Sequence, residues 1–227
     1  MVSKQDELKK LVGEEAAAYV KDGMKVGLGS GSTMYYTVKR LGERVKEGLQ
    51  IVGIPTSNTT AEWAQEFGIP LTDFSEVTRL DLAIDGADEV DADFHLIKGG
   101  GGALLREKIV ADAAEKLLII VDHSKKVSQL GQFPLPVEIV PFGWEGTVEK
   151  IAQFGSSPVL RKKDGELFVT DNGNYIIDIP YEKIVDPVAL HNELKSIVGV
   201  VETGLFIHMA DEVLVGENGT VNRMKKS

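Results

Sequence analysis

Apolar positions mark out the first element at once. Leu8, Leu11, Val12, Ala16, Tyr19 and Val20 recur at helical spacing, so a helix is predicted there, capped by Ser3 and ended by Asp22-Gly23. Lys25 to Leu28 then reads as a short strand. It runs into Gly29-Ser30-Gly31-Ser32-Thr33 and a helix from Met34 to Lys46. Gln50 to Ile54 is a predicted strand and Thr59 to Phe67 a helix closed by Gly68. Ile69 to Leu71 and Leu82 to Ile84 are short apolar strands. Gly99 to Gly102 opens a helix over Ala103 to Lys116, and Leu117 to Val121 is a strand apolar enough to be buried on both faces. Strands alternating with helices imply a parallel sheet covered by helices.

The rhythm changes after Val121. Phe133-Pro134-Leu135-Pro136 reads as a crossover. Strand, helix and strand follow at Val137 to Val140, Thr147 to Phe154 and Val159 to Arg161. Then come a strand at Tyr175 to Ile179, a helix at Val188 to Ile197 and a strand at Val200 to Leu205. This βαββαβ order is the split unit of ferredoxin-like domains. A lone strand, Glu212 to Val215, is expected to return to the first sheet. The expected fold class is therefore α/β: a parallel-sheet domain formed by residues 1–131 and 208–227, with a smaller α+β domain over residues 132–207.

Composition narrows the function. In 227 residues, 43% are hydrophobic and 26% charged, so the chain has the apolar surface to fold. A formal net charge of −10 disfavours nucleic acid and anionic membrane as partners, while a small anionic ligand remains compatible with a local site. With no cysteine there is no disulfide framework, thiolate nucleophile or Cys-based zinc site, which fits a cytoplasmic location. Met1 to Lys10 is polar, unlike a signal peptide, and no apolar run reaches the length of a membrane span.

Three segments could carry chemistry. Gly27-Leu28-Gly29-Ser30-Gly31-Ser32-Thr33 is either an ordinary glycine-rich turn or a phosphate cradle at a helix start. It is neither a P-loop nor a dinucleotide fingerprint. Asp85-Gly86-Ala87-Asp88-Glu89 crowds three carboxylates at a strand end, as a solvated acidic turn or for proton transfer or metal binding. The third is Lys98-Gly99-Gly100-Gly101-Gly102, followed by Arg106, Glu107 and Lys108. Four glycines are costly in entropy and make sense if a ligand approaches the backbone. Glu107 there is either plain helix electrostatics or a base. His95, His123, His191 and His208 show no paired ligand spacing, so no metal is expected, and without a cofactor motif in the sequence no cofactor is expected either. Carboxylates, a lysine and a small phosphorylated ligand together suit proton transfer next to a carbonyl.

The segments GSGST, DGADE and KGGGGALLREKI, in this order and spacing, resemble the type A ribose-5-phosphate isomerase family. Leu130 to Glu138 and Thr170-Asp171-Asn172-Gly173-Asn174 match it as well. The resemblance implies a Rossmann-like domain plus a small α+β domain. It also implies cofactor-free interconversion of D-ribose 5-phosphate and D-ribulose 5-phosphate in the pentose phosphate pathway, and a homodimer or homotetramer. By the same resemblance, Glu107 is the general base, Lys98 stabilises the oxyanion, and Asp85 helps to open the ring. Ser30, Gly31, Ser32 and Thr33 form the first substrate loop. Asp85, Gly86, Ala87, Asp88, Lys98, Gly99, Gly100, Gly101 and Lys125 are further substrate contacts. Sugar-phosphate sensor domains and CoA transferases belong to the same broad superfamily and are the alternatives. A sensor would carry a DNA-binding segment, and a CoA transferase a longer chain.

Overall fold

Residues 4–154 and 157–225 are described by a computed structural model of the chain. The expected cap at Ser3 lies outside them. In chain order the elements begin with α1 (Lys4–Ala17), β1 (Lys25–Leu28), α2 (Ser32–Lys46), β2 (Val52–Pro55), α3 (Asn58–Phe67) and β3 (Leu82–Asp85). Next are β4 (Glu89–Val90), β5 (Leu96–Ile97), α4 (Leu104–Asp112), β6 (Leu117–Asp122) and a 3-10 turn at His123–Lys125. β7 (Leu135–Ile139), α5 (Trp144–Ala152), β8 (Val159–Leu160), β9 (Lys162–Lys163), β10 (Glu166–Leu167) and β11 (Tyr175–Ile179) follow. α6 (Pro187–Lys195), β12 (Val200–Thr203), β13 (Leu205–Phe206), β14 (Glu212–Glu217) and β15 (Thr220–Met224) complete the chain.

Two units emerge. The first runs to Ala87 and adds Arg106–Lys126 and the stretch from Met209 onward. Its sheet has the order β15-β14-β6-β3-β1-β2, parallel except for β15. β6 lies inside that sheet with all six residues buried, which is why its sequence is continuously apolar up to Asp122. Val12, Leu28, Met34, Val38, Leu41, Ile84, Leu118 and Leu214 belong to the core. Local signals set the helix ends. Ser57 caps α3 by accepting from Thr60 N, and Gly68 closes it in the left-handed conformation at φ 79°.

The expected strand at Ile69 to Leu71 contributes only a single bridge, Gly53 to Leu71. Pro70 lacks an N–H and cannot extend a ladder. The helix expected over Ala103 to Lys116 stops at Asp112, because the backbone beyond it turns to Leu80: Ala113 O accepts from Leu80 N, and Glu115 N donates to Leu80 O. β14 contains the expected Glu212 to Val215 strand and pairs in parallel with β6. It continues into β15 through Asn218-Gly219, both at positive φ (50° and 76°), which is the two-residue hairpin turn.

The second unit comprises Asp88–Leu105 and Val127–His208. Its main sheet is antiparallel in the order β12-β7-β11-β8. With α5 between β7 and β8 and α6 between β11 and β12, this is the 4-1-3-2 arrangement of a ferredoxin-like split unit. Asp186 caps α6 through Ala189 N, with Pro187 at the first position. β9 and β10 are an inserted hairpin. The unit also takes in residues 88–105 and 127–131, which the sequence reading places in the first domain. The reason is a second small sheet, β13-β5-β4, in which β13 from the far end of the unit pairs with β5. Lys98 N donating to Gly204 O and Val127 N donating to Val90 O secure the same segments.

Candidate active site

In the first unit the glycine turn follows β1 and leads into α2. Gly31 occupies the cap position at φ 99° and supplies no side chain to it; the first turn of α2 holds no acidic residue. That leaves a helix start suited to an anion. Asp85, at the end of β3, is 3% exposed. Its Oδ1 accepts from Ser30 N at 3.1 Å and Gly86 N at 2.7 Å. A Cβ at Gly29 would lie 2.2 Å from that oxygen, so glycine is what lets the turn close over the carboxylate. Ser30, Asp85 and Gly86 are thus brought together. Ser32 and Thr33 open α2, and Ala87 ends this stretch of the unit.

The Ser30 hydroxyl is engaged by residues that sequence reasoning missed. It lies 2.7 Å from Thr56 Oγ1 and donates to Ser57 Oγ at 2.8 Å, while Thr60 Oγ1 donates to Gly29 O at 2.9 Å. Ile54-Pro55-Thr56-Ser57 carries no acid for a ribose, but its string of hydroxyls at a helix start was the available signal. Arg106 donates to Asn58 Oδ1 at 3.1 Å, also on α3. Glu107 stands in the first turn of α4, 6% exposed. Lys125, half-buried in the 3-10 turn, lends its charge to Asp122. Burial works to raise the Asp122 pKa. The Ser124 hydroxyl and N–H, Gln5 and Lys125 outweigh it and hold the carboxyl below its usual range.

Three crowded carboxylates were the reason to expect proton transfer or metal at Asp85, Asp88 and Glu89. The structure gives each its own backbone partners. Asp88, in the second unit, accepts from Gly100 N at 2.7 Å. Glu89, 3% exposed, accepts from Gly131 N at 2.7 Å and Phe133 N at 2.6 Å, tying down the Leu130 to Glu138 segment. Glu89 is therefore a structural carboxylate. Among the described residues, one cluster could offer three metal ligands, Asp91, Asp93 and His95. Its members already bond one another: Asp91 Oδ1 accepts from Asp93 N and His95 N, and His95 Nδ1 lies 3.2 Å from Asp91 Oδ2.

Lys98 follows β5 and is 2% exposed, with its ammonium 5.4 Å from the centre of the Phe206 ring. Lysine is rarely buried to this degree without a partner or a task. Of the four glycines after it, three answer to the protein itself. Gly99 has φ 102° and Leu104 against it. A Cβ at Gly100 would meet Asp88 Oδ1 at 2.6 Å and Phe133 at 2.9 Å. Gly102 has φ 86° and Phe168 against it at 2.3 Å. Only Gly101 has neither a left-handed φ nor an atom within 4 Å of a Cβ. The protein's own packing and backbone thus account for three of the four glycines and leave Gly101 as the one position where the expectation of ligand approach still applies.

Glycine turns, a buried carboxylate at a strand end, and a buried glutamate and lysine that flank a glycine run in the sequence are the residue types that proton transfer on a small phosphorylated substrate calls for. The comparisons with known proteins agree. A family model described as Ribose 5-phosphate isomerase A (phosphoriboisomerase A) matches residues 52–220. The ribose-5-phosphate isomerase A 1 of Oceanobacillus iheyensis is 60% identical over 221 residues, 97% of this chain and 99% of its own. The solved ribose 5-phosphate isomerase A of Methanocaldococcus jannaschii matches with a TM-score of 0.93 at 41% identity, over 98% of this chain and all of its own. A D-ribose-5-phosphate isomerase in complex with phospho-erythronic acid matches at 0.94 and 40%, over 98% and 100%. The chain belongs to the ribose 5-phosphate isomerase A family, whose reaction interconverts D-ribose 5-phosphate and D-ribulose 5-phosphate.

Proposed function

We propose that Glu107 is the general base of this isomerisation. It removes the proton from C2 of open-chain ribose 5-phosphate, giving an enediolate, and returns it to C1 while the O2 hydroxyl proton passes to O1, which yields the ketose. The carbonyl oxygen takes up negative charge as the C2 proton leaves, and the Lys98 ammonium stabilises it. Such a donor, fixed in a site that excludes water, acts more strongly than the same group in solution. Asp85 hydrogen-bonds a ring hydroxyl and assists ring opening, and Asp88 holds another hydroxyl. Ser30, Gly31, Ser32 and Thr33 receive the phosphate at the start of α2. Gly86, Ala87, Gly99, Gly100, Gly101 and Lys125 line the substrate. No metal or cofactor enters the reaction. Phospho-erythronic acid, held by a related isomerase, suits this reading because its planar anionic carboxylate resembles the enediolate.

The observation that carries the reading is the burial of two opposite ionisable groups, Glu107 and Lys98, on either side of one glycine run. Buried ionisable groups of both signs beside a flexible glycine run are what a proton-transfer site is built from. The test is Glu107→Gln, which keeps the shape and removes the base. The expected kcat falls by about 10²–10⁴-fold while KM changes little, because phosphate and hydroxyl contacts remain. Near wild-type kcat would pass the role to Asp85 or Asp88. We also propose a cytoplasmic homodimer or homotetramer without nucleic-acid or membrane partners. Nearly full exposure of Phe142, Val185 and Val198 supports subunit contacts, and no helix among the described residues is long and apolar enough to cross a membrane.

A further inference from the structure

Arg161 lies between β8 and β9 of the second unit, with its side chain 13% exposed. The proposed chemistry makes no use of it. Its Nε donates to Asp178 Oδ2 at 2.8 Å and its Nη2 to Asp178 Oδ1 at 2.5 Å, a two-point pair with β11. Its Nη1 donates to Gly99 O at 2.7 Å and to Gly100 O at 3.2 Å. The guanidinium also sits 5.9 Å from the centre of Phe168, the ring packed against Gly102. The backbone of Arg161 is held in turn, its N–H donating to Ile176 O and its carbonyl accepting from Phe168 N.

Peptide planarity gives these contacts a consequence. In a trans peptide the carbonyl and the following N–H point in opposite directions. With Gly99 O on the guanidinium, the Gly100 N–H is turned away from it, and that N–H donates to Asp88 Oδ2. With Gly100 O on the same nitrogen, the Gly101 N–H is turned away as well. A glycine run has more backbone freedom to lose than any other sequence, so an unanchored loop would sample many peptide orientations. A planar donor fork, already fixed by a carboxylate, holds two successive peptides at once, which the single-point ammonium of a lysine does less well.

We propose that Arg161 is a positioning residue for the isomerase site: braced by Asp178, it locks the 99–100 and 100–101 peptides so that the Gly101 N–H and the Asp88 carboxylate are preset for the open-chain sugar. This rests on the assignment of Asp88, Lys98 and Gly99 to Gly101 to the substrate.

The test uses the full chain with Arg161→Met, Arg161→Lys and, separately, Lys98→Met. With ribose 5-phosphate as substrate, Arg161→Met should lower kcat/KM by about 10²-fold, the scale of a small misplacement of reacting groups. Arg161→Lys should restore about tenfold of that loss. In the absence of substrate, amide exchange at Gly100 and Gly102, whose N–H groups donate to Asp88 and to Gly99 O, should quicken about tenfold or more in Arg161→Met, while amides of β7 and β11 stay protected. Wild-type kcat/KM in Arg161→Met overturns the proposal. So does lost activity with loop exchange unchanged, which would place the effect elsewhere. Should Arg161→Met fail to fold, Arg161→Lys carries both readouts against the wild type. Wild-type kcat in Lys98→Met would instead refute the substrate assignment, while the exchange data still decide whether Arg161 anchors the loop.

Discussion

Gly101 and Gly102 are neighbours in one run, yet a methyl group should have opposite effects at the two positions. At Gly102 the backbone has φ 86°, and a new Cβ would lie 2.3 Å from Phe168 Cζ. The left-handed conformation costs an alanine about 1–2 kcal/mol. The overlap is with the far end of a half-buried ring, so Phe168 can swing aside, at about 1 kcal/mol for disturbed packing. Its displacement also gives up the guanidinium of Arg161, worth roughly 0.5–1 kcal/mol. Gly102→Ala should therefore cost about 3 kcal/mol and lower Tm by about 6–12 °C, at roughly 2–4 °C per kcal/mol for a chain of this size. Gly101→Ala meets no atom within 4 Å and no left-handed φ. By restricting the unfolded chain it should raise stability by about 0.4–1 kcal/mol. If the substrate approaches the backbone at Gly101, the same methyl should lower kcat/KM by about tenfold or more. Thermal melts and steady-state kinetics on both variants decide. Equal destabilisation in the two would refute the geometric reasoning, and a fully active Gly101→Ala would remove ligand approach as the reason for that glycine.

The first sheet should weaken in acid through Glu212. Burial works to raise its pKa, but hydrogen bonds from Lys116 and Tyr19 and the charges of Lys116 and Arg223 prevail and hold it below its usual 4.5. The unfolded chain then binds more protons as pH falls, so stability present above about pH 4.5 is lost as pH drops through the folded-state value. The fall in urea midpoint between about pH 7 and about pH 3.5 should be smaller in Lys116→Met; an equal fall would exclude this contribution. The hydroxyls of the phosphate loop should separate. Thr33→Ala should raise KM with little change in kcat, while Ser30→Ala should also lose about 1 kcal/mol of stability, since its hydroxyl ties Thr56 and Ser57. Unchanged KM in both variants would argue against phosphate binding there.

Much of this architecture was legible in the residues, and the exceptions have physical reasons. α1 and β6 are plain because the helix buries one face and the strand both. The order of the ferredoxin-like strands could be read because α5 and α6 separate them. β4, β5 and β13 escaped notice because two-residue strands have no period, and the pairing of β13 with β5 joins residues over a hundred positions apart. β15 is mostly exposed and lacks an apolar stripe, although Asn218-Gly219 announced its turn. In the candidate site, glycines, carboxylates and a buried lysine stand out by type. What each carboxylate bonds does not, which is why Asp85, Asp88 and Glu89 read as one repulsive cluster when each has its own amides. Arg161 was invisible for the same reason, since its partners are carbonyls and a carbonyl belongs to every residue.

The chain order of the two units bears on how the molecule is made. β6 needs β14 beside it, and the cluster of Tyr19, Lys116, Glu212 and Arg223 joins the end of the first helix to the last hairpin. On the ribosome, the long stretch from Val127 to His208 intervenes between those partners. At about 5–20 residues per second, several seconds pass in which the first sheet is emerged but unfinished, with the edge of β6 awaiting a strand not yet synthesised. The ferredoxin-like strands, contiguous in sequence, have no such wait. Birth order therefore favours the insert folding before its host, and the apolar β6 edge is what a nascent-chain chaperone would have to shield in the interval.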